Sequence, residues 1–322
     1  MNSKTDITAL GELLIDFTPA GLSEQGMSLF ERNPGGAPAN MLTAATKLGM
    51  KTAFIGKVGQ DMHGRFLKET LENVGINIDN LILDDKFFTT LAFVSLDENG
   101  EREFAFARKP GADTKICMRE INRDMLENTK IFHVGSLSLT ADPSRIATYE
   151  AVNYAKSKGV LISYDPNYRA ALWDGVETAK VRMQSLLTYV DMMKLSDEET
   201  ELLTPYEEPE EALKYLLRRG VKLVAVTLGA DGAIIGNSKG IVKVNGYPSK
   251  AVDTTGAGDS FWGGFLSCFL REETSPELLS PEQMIKCGRM ANAVASLCVE
   301  KRGGISSMPS KRAADYRLKA MA

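Results

Sequence analysis

Apolar runs of strand length alternate with amphipathic helical stretches along most of this chain, and that rhythm limits the fold more than any other feature. A strand followed by a crossover helix returns parallel to its predecessor, so repetition builds a mostly parallel sheet covered by helices on both faces. Strand candidates are Thr52–Ile55, Ile131–Val134, Val160–Tyr164, Val190–Leu195 and Lys222–Thr227, each flanked by helical stretches. From Pro38 to Leu48 the apolar residues Met41, Ala44, Ala45 and Leu48 recur at helical spacing, with proline near the start and Gly49 past the end. Both ends of that helix are therefore marked. The expectation is a doubly wound, mostly parallel α/β sheet formed by residues 1–322 as one domain.

One segment departs from the rhythm. Thr89–Asp97 and Glu103–Arg108 are β-rich runs around Asn99-Gly100, the signature of an antiparallel hairpin, and no helix follows to cover them. Its Phe93, Phe104 and Phe106 need a surface to lie against, either a ligand site or a second subunit. We expect a small β-sheet lid inserted in the main domain, drawn from about 14–32 and 86–113.

Lysine plus arginine number 38 against 42 acidic residues, a net charge of −4, so there is no basic field for nucleic acid. No apolar run approaches the roughly 20 residues of a membrane span, and a cytoplasmic protein is expected. Four cysteines, Cys117, Cys268, Cys287 and Cys298, never fall as C-x-x-C and read as reduced thiols. The only histidines are His63 and His133, read as a surface and a core residue. That leaves no zinc-protease motif and poor material for a Ser/His/Asp triad.

The most informative stretch runs from Val252 to Phe261, Val-Asp-Thr-Thr-Gly-Ala-Gly-Asp-Ser-Phe, between a β-rich region and a helix. Small residues Gly256, Ala257 and Gly258 admit a ligand close to the backbone, and the free N–H groups of a helix start attract an anion such as phosphate. Asp259 in the first turn would repel that phosphate, unless it serves to take a proton from the hydroxyl that attacks it. Gly263-Gly264 inside the same helix should each cost about 1 kcal/mol relative to alanine, so close packing or a ligand must compensate. A second glycine-rich helix start, Gly35-Gly36-Ala-Pro-Ala-Asn40, lies near the N-terminus.

The pair Gly35–Asn40 and Asp253-Thr-Thr-Gly-Ala-Gly-Asp259 resembles the two hallmark sequences of the ribokinase-like (PfkB) carbohydrate kinases. Gly59-Gln-Asp61-Met-His-Gly64, Asp165-Pro-Asn167-Tyr-Arg169, Ser196-Asp-Glu-Glu199 and Thr227-Leu-Gly229-Ala-Asp-Gly232 match in the same order. Within the family the likeness is to fructokinases, which implies transfer of the γ-phosphoryl of ATP to the 6-hydroxyl of fructose. The resemblance implies Asp259 as base, with Gly256, Ala257 and Gly258 as anion hole. It implies Asp16, Gly35, Gly36, Asn40, Arg108 and Arg169 as sugar ligands. Lys194, Ser196, Thr227, Gly229, Gly232 and Asn292 fall at nucleotide positions, and Glu199 at the position that organises Mg²⁺ through water. Ser196 stands where the family more often has Asn. Asp253, Thr255, Gly303 and Ser307 fall where such kinases bind a monovalent cation, K⁺. A homodimer formed through the lid is a further expectation.

Other nucleotide enzymes are excluded by absence of motif. No G-x-x-x-x-G-K-[ST], H-R-D or D-F-G occurs, and no G-x-G-x-x-G follows an early strand. Kinases of 2-keto-3-deoxygluconate or ribose, and a non-catalytic sugar or nucleotide binder on the same fold, are the alternatives to a fructokinase.

Overall fold

The structure, a computed structural model, describes residues 4–96 and 102–320. The anticipated Asn99-Gly100 turn and the side chain of Phe104 lie outside what is described. The strands are β1 (Thr5–Leu10), β2 (Leu14–Leu22), β3 (Ser28–Gly35), β4 (Thr52–Gly59), β5 (Asn77–Asp84), β6 (Leu91–Leu96), β7 (Arg102–Ala107), β8 (Thr129–Gly135), β9 (Leu161–Asp165), β10 (Met192–Ser196), β11 (Leu223–Thr227), β12 (Ala233–Asn237) and β13 (Gly240–Val244). The helices are α1 (Ala37–Lys47), α2 (Met62–Val74), α3 (Arg123–Glu127), α4 (Ser144–Ser157), α5 (Val176–Ser185), α6 (Thr200–Leu203), α7 (Pro209–Arg218), α8 (Ala257–Phe269), α9 (Pro281–Cys298) and α10 (Lys311–Ala320).

Nine strands form one sheet in the order β13-β12-β11-β10-β9-β8-β1-β4-β5, parallel from β11 to β5, with β12 and β13 antiparallel at one edge. The near-continuous burial of β4 suits a strand covered on both faces. Successive strand residues point to opposite faces, so Ile131 joins one core and its neighbour Phe132 the other. One core packs the sheet against α1, α2, α8 and α9; the second packs it against α4, α5 and α7. The order reverses between β1 and β8, and the crevice at such a switch point, beyond the carboxyl ends of the strands, is where open α/β sheets accept ligands.

A second sheet of four strands, in the order β3-β2-β6-β7, stands over that crevice. Register divides its residues between two faces. Asp16 pairs with Ala92, and Ala92 with Phe106, on the face turned to the crevice. Phe17 pairs with Phe93 on the opposite face, their rings stacked 5.1 Å apart. Phe30 meets Phe93 edge-on and stays exposed at the outer end. Of the aromatics expected to need cover, Phe106 faces inward and Phe93 outward.

Two clusters tie this sheet to the main one. Asp61 caps α2 through the amides of His63 and Gly64 at 2.8 and 2.9 Å, and also accepts from the amide and hydroxyl of Thr89, just before β6. After β7, Arg108 pairs with Asp113, which in turn accepts from Thr90 Oγ1 at 2.6 Å. His63 is half-buried with its ring edge against Phe17, so the expected surface position is not what folds. His133 is buried, as a core histidine should be, and bonds Ser163 Oγ at 2.9 Å.

Candidate active site

The crevice is a cavity of about 570 Å³. Its floor is the start of α8, where Gly256 adopts the left-handed φ of +78° that turns the loop into the helix. The helix has no side-chain cap; the Ala257 amide turns back to the carbonyl of Thr254 at 3.1 Å, and Gly256, Ala257 and Gly258 all line the cavity. A side chain on Gly258 would press on Lys194 Nζ at 2.7 Å, which explains glycine there. Lys194 in turn forms a buried pair with Asp165, at 3.1 and 3.2 Å to its two oxygens. Burial opposes the charge on Lys194, but Asp165, Glu199 and Asp259 outweigh it and hold the ammonium above its ordinary pKa. A fixed positive charge therefore stands beside the helix start.

Asp259 is buried in the first turn of α8. Asn40, on the first turn of α1, donates to its Oδ2 at 2.8 Å, and Asn167 donates to Oδ1 at 3.2 Å. Burial, helped by the charge of Asp165, pushes its carboxyl up to about 6, against the opposing pull of Asn40, Lys194 and Arg169. The carboxylate is thus a base poised just below neutrality and oriented by two amides. Asn167 holds φ at +45°, a left-handed conformation that asparagine tolerates better than most residues, and this aims its side chain.

The opposite wall comes from β2 and the loop before α1. Asp16 lies inward on β2, and burial raises its carboxyl to about 7, with Asp253 and Asp259 adding to the effect and Arg169 opposing it. Any side chain on Gly35 would collide with Asp16, and Gly36, at φ +118°, runs against the backbone of Glu12. Arg169 lines the cavity with an exposed head. At the other end lie Ser196, Glu199, Thr227 and Gly229. Both Glu199 oxygens accept backbone amides, from Tyr168 at 2.7 Å and Ser196 at 2.9 Å, so this carboxylate joins the loops after β9 and β10.

Three expected ligands stand elsewhere. The guanidinium of Arg108 is spent on Asp113, Thr140 Oγ1 and the carbonyl of Leu137, one layer behind the cavity wall. Asn292 gives its amide to the carbonyls of Val244 and Asn245, anchoring the exit from β13. Gly232, at φ +98°, packs where a side chain would strike the carbonyl of Val244, and it closes the turn between β11 and β12. These are structural placements with clear physical causes, and none of the three lines the cavity. Behind the helix start, Asp253 accepts the amides of Thr255 at 2.9 Å and Gly303 at 3.0 Å, while Ser307 bonds the carbonyl of Gly304. The four residues expected to hold a monovalent cation therefore do come together, in an oxygen-rich loop pair.

Sequence reasoning missed Glu12 as a wall residue. Its Oε1 accepts the amide of Ala37 at 2.8 Å and so supplies the cap that α1 lacks. Burial raises its carboxyl to about 7, while the Ala37 amide and Arg108 oppose the rise. A carboxylate 25 residues before the amide it caps leaves no local pattern; only the proximity of the β1–β2 turn to α1 makes the pair.

Residues 4–311 match the model for the pfkB family carbohydrate kinases. The chain is 41% identical to "Probable fructokinase-5" of Arabidopsis thaliana over 318 residues, 98% of this chain and 97% of that one. A crystal structure of fructokinase from Xylella fastidiosa with bound ATP superposes with a TM-score of 0.91 at 30% identity, covering 99% of each chain. The fructokinase of Vibrio cholerae O395, solved with fructose, ADP and a calcium ion, gives 0.89 at 32% identity, covering 98% of this chain and 100% of that one.

Proposed function

Because the chain belongs to the pfkB family of carbohydrate kinases, we propose that the cavity between its two sheets is the site at which fructose is phosphorylated. The protein is an ATP-dependent fructokinase, giving fructose 6-phosphate and ADP. The observation that carries the site assignment is Asp259, a buried carboxylate beside uncapped helix amides, oriented by Asn40 and Asn167.

In this reading Asp259 takes the proton of the sugar 6-hydroxyl as its oxygen attacks the γ-phosphorus. The amides of Gly256 and Gly258, on either side of Ala257, with the positive end of α8, stabilise charge on the transferred group. Lys194 adds a charge that Asp165 holds in place. Asp16, Gly35, Gly36, Asn40 and Arg169 bind the sugar; Ser196, Thr227 and Gly229 border the nucleotide. Mg²⁺ arriving with ATP offsets phosphate charge. Glu199 suits a water-mediated role towards it, because its oxygens retain lone pairs after accepting two amides. The carboxylate, hydroxyl and carbonyl oxygens around Asp253, Thr255, Gly303 and Ser307 suit K⁺, whose charge there would support the anion hole. The small sheet acts as a lid that keeps water from the phosphoryl group, and its exposed outer aromatics pair two copies into a homodimer. Four free cysteines suit the reducing cytoplasm.

The test is ADP release with Mg-ATP across fructose, 2-keto-3-deoxygluconate, ribose, adenosine and fructose 6-phosphate. Turnover is expected on fructose, and Asp259→Ala should lower kcat by about 10²–10⁴-fold or more. The wild-type kcat/KM should climb as pH rises through about 6, since the base acts only when deprotonated. Activity confined to another sugar would replace the substrate, and full activity in the variant would remove Asp259 from the chemistry.

A further inference from the structure

We propose that Cys268, Glu272 and Cys287 form a binding site for a soft divalent metal ion, zinc in the first place, which joins the C-terminal end of α8 to α9. One ligand atom from each of the three lies within 4.8 Å of the others, and among the described residues no other group of histidines, cysteines and acids gathers in this way. Cys268 lies in the last turn of α8, and Glu272 in the turn that follows it, where its amide bonds the carbonyl of Phe269. Cys287 meets them from the second turn of α9. The helices come close enough for this because Gly264 sits against the Cα of Ala291, where an added Cβ would stand at 3.1 Å.

The donor chemistry selects the metal. Two sulfurs and one carboxylate are a borderline-soft set that favours zinc over the magnesium bound with ATP. Zinc–sulfur bonds of about 2.3 Å place two tetrahedral thiolates roughly 3.8 Å apart, so a closure of about 1 Å or less completes the site. The second layer is already built. Lys286 Nζ bonds Glu272 Oε1 at 2.6 Å and Gln283 Nε2 bonds Oε2 at 2.9 Å, both from the first two turns of α9. Two packed thiols alone would give no reason for α9 to hold a carboxylate beside them. Charge also closes: two thiolates and a carboxylate are offset by a divalent ion and the Lys286 ammonium. Cys268 and Cys287 are buried while Glu272 is partly exposed, which leaves an entry path and a fourth position for water.

The experiment uses the full chain, reduced with a phosphine, stripped of metal and titrated with Co²⁺ and then Zn²⁺. A thiolate-to-cobalt charge-transfer band should grow to one equivalent per chain and disappear as zinc replaces cobalt. Cys268→Ser and Cys287→Ser should each abolish it, and Cys117→Ser should leave it intact. Lys286→Ala should weaken affinity about 10–100-fold. Zinc should raise the melting temperature of the wild type but not of Glu272→Gln, a change at a partly exposed position that keeps the test valid should a buried serine prevent folding. Absence of the band, a band that survives the double Cys268→Ser, Cys287→Ser change, or a chain two hydrogens lighter through a disulfide with no metal taken up would each overturn the proposal.

Discussion

Glu12 shows how one residue couples the site to pH without doing chemistry. Its folded pKa of about 7 stands above the ordinary 4.5, chiefly through burial. Between those values the folded chain binds a proton that the unfolded chain has lost. The stability this proton contributes is complete below about 4.5 and is lost as pH rises through 7. Glu12→Gln keeps an oxygen for the Ala37 amide and removes the charge. Its melting temperature should therefore exceed that of the wild type by a few degrees at pH 8 and by little at pH 5; an equal offset at both would show that Glu12 does not titrate in this range. At this scale the sequence is legible where a residue belongs to a short motif. Asp259 and Asn40 are found by their glycine-rich surroundings, whereas Glu12 and the partner of Lys194 are found only once the strands are aligned. Arg108 and Asn292 take other partners in this structure, Asp113 and backbone carbonyls, since polar side chains near a site satisfy the protein as readily as a ligand.

Among the elements, α8 has the least freedom. Of the two compensations expected for the double glycine, close packing or a ligand, the structure shows packing: a Cβ on Gly263 would stand 2.5 Å from the Met41 carbonyl and 2.8 Å from Ala44 on α1. Gly263→Ala gains about 1 kcal/mol of helix propensity but overpacks the contact, at a cost of about 1–3 kcal/mol. It should lower the urea midpoint and also lower kcat, because α1 carries Asn40 and α8 carries Asp259, held 2.8 Å apart. Unchanged kcat alongside reduced stability would separate the packing from the chemistry. Element type was readable for the buried parallel strands, which are continuous apolar runs. Their ends were not: β4 extends to Gly59 rather than stopping at Ile55, because pairing with β5 continues past the apolar stretch.

For the whole molecule, the exposed outer face of the small sheet carries the prediction. Phe30 and Phe93 are 46% and 38% exposed, and a second copy is the cover we propose for them. Light scattering at micromolar concentration should give twice the chain mass for the wild type and a single chain mass for Phe30→Lys, Phe93→Lys. A monomeric wild type would remove the dimer. The doubly wound sheet was legible because its periodicity spans the chain. The division of the hairpin aromatics between two faces was not, since it depends on pairing with β2, more than 70 residues away.

Both ends of the β6–β7 hairpin are fastened at one place. Asp61 grips Thr89, Asp113 grips Thr90 and Arg108, and the chain enters and leaves through these neighbouring clamps. β6 is in turn paired in parallel with β2, so Phe93 on the outer face and Val94 and Phe106 on the cavity face belong to one bonded unit, and a contact made at the outside is made to the same strands that wall the cavity.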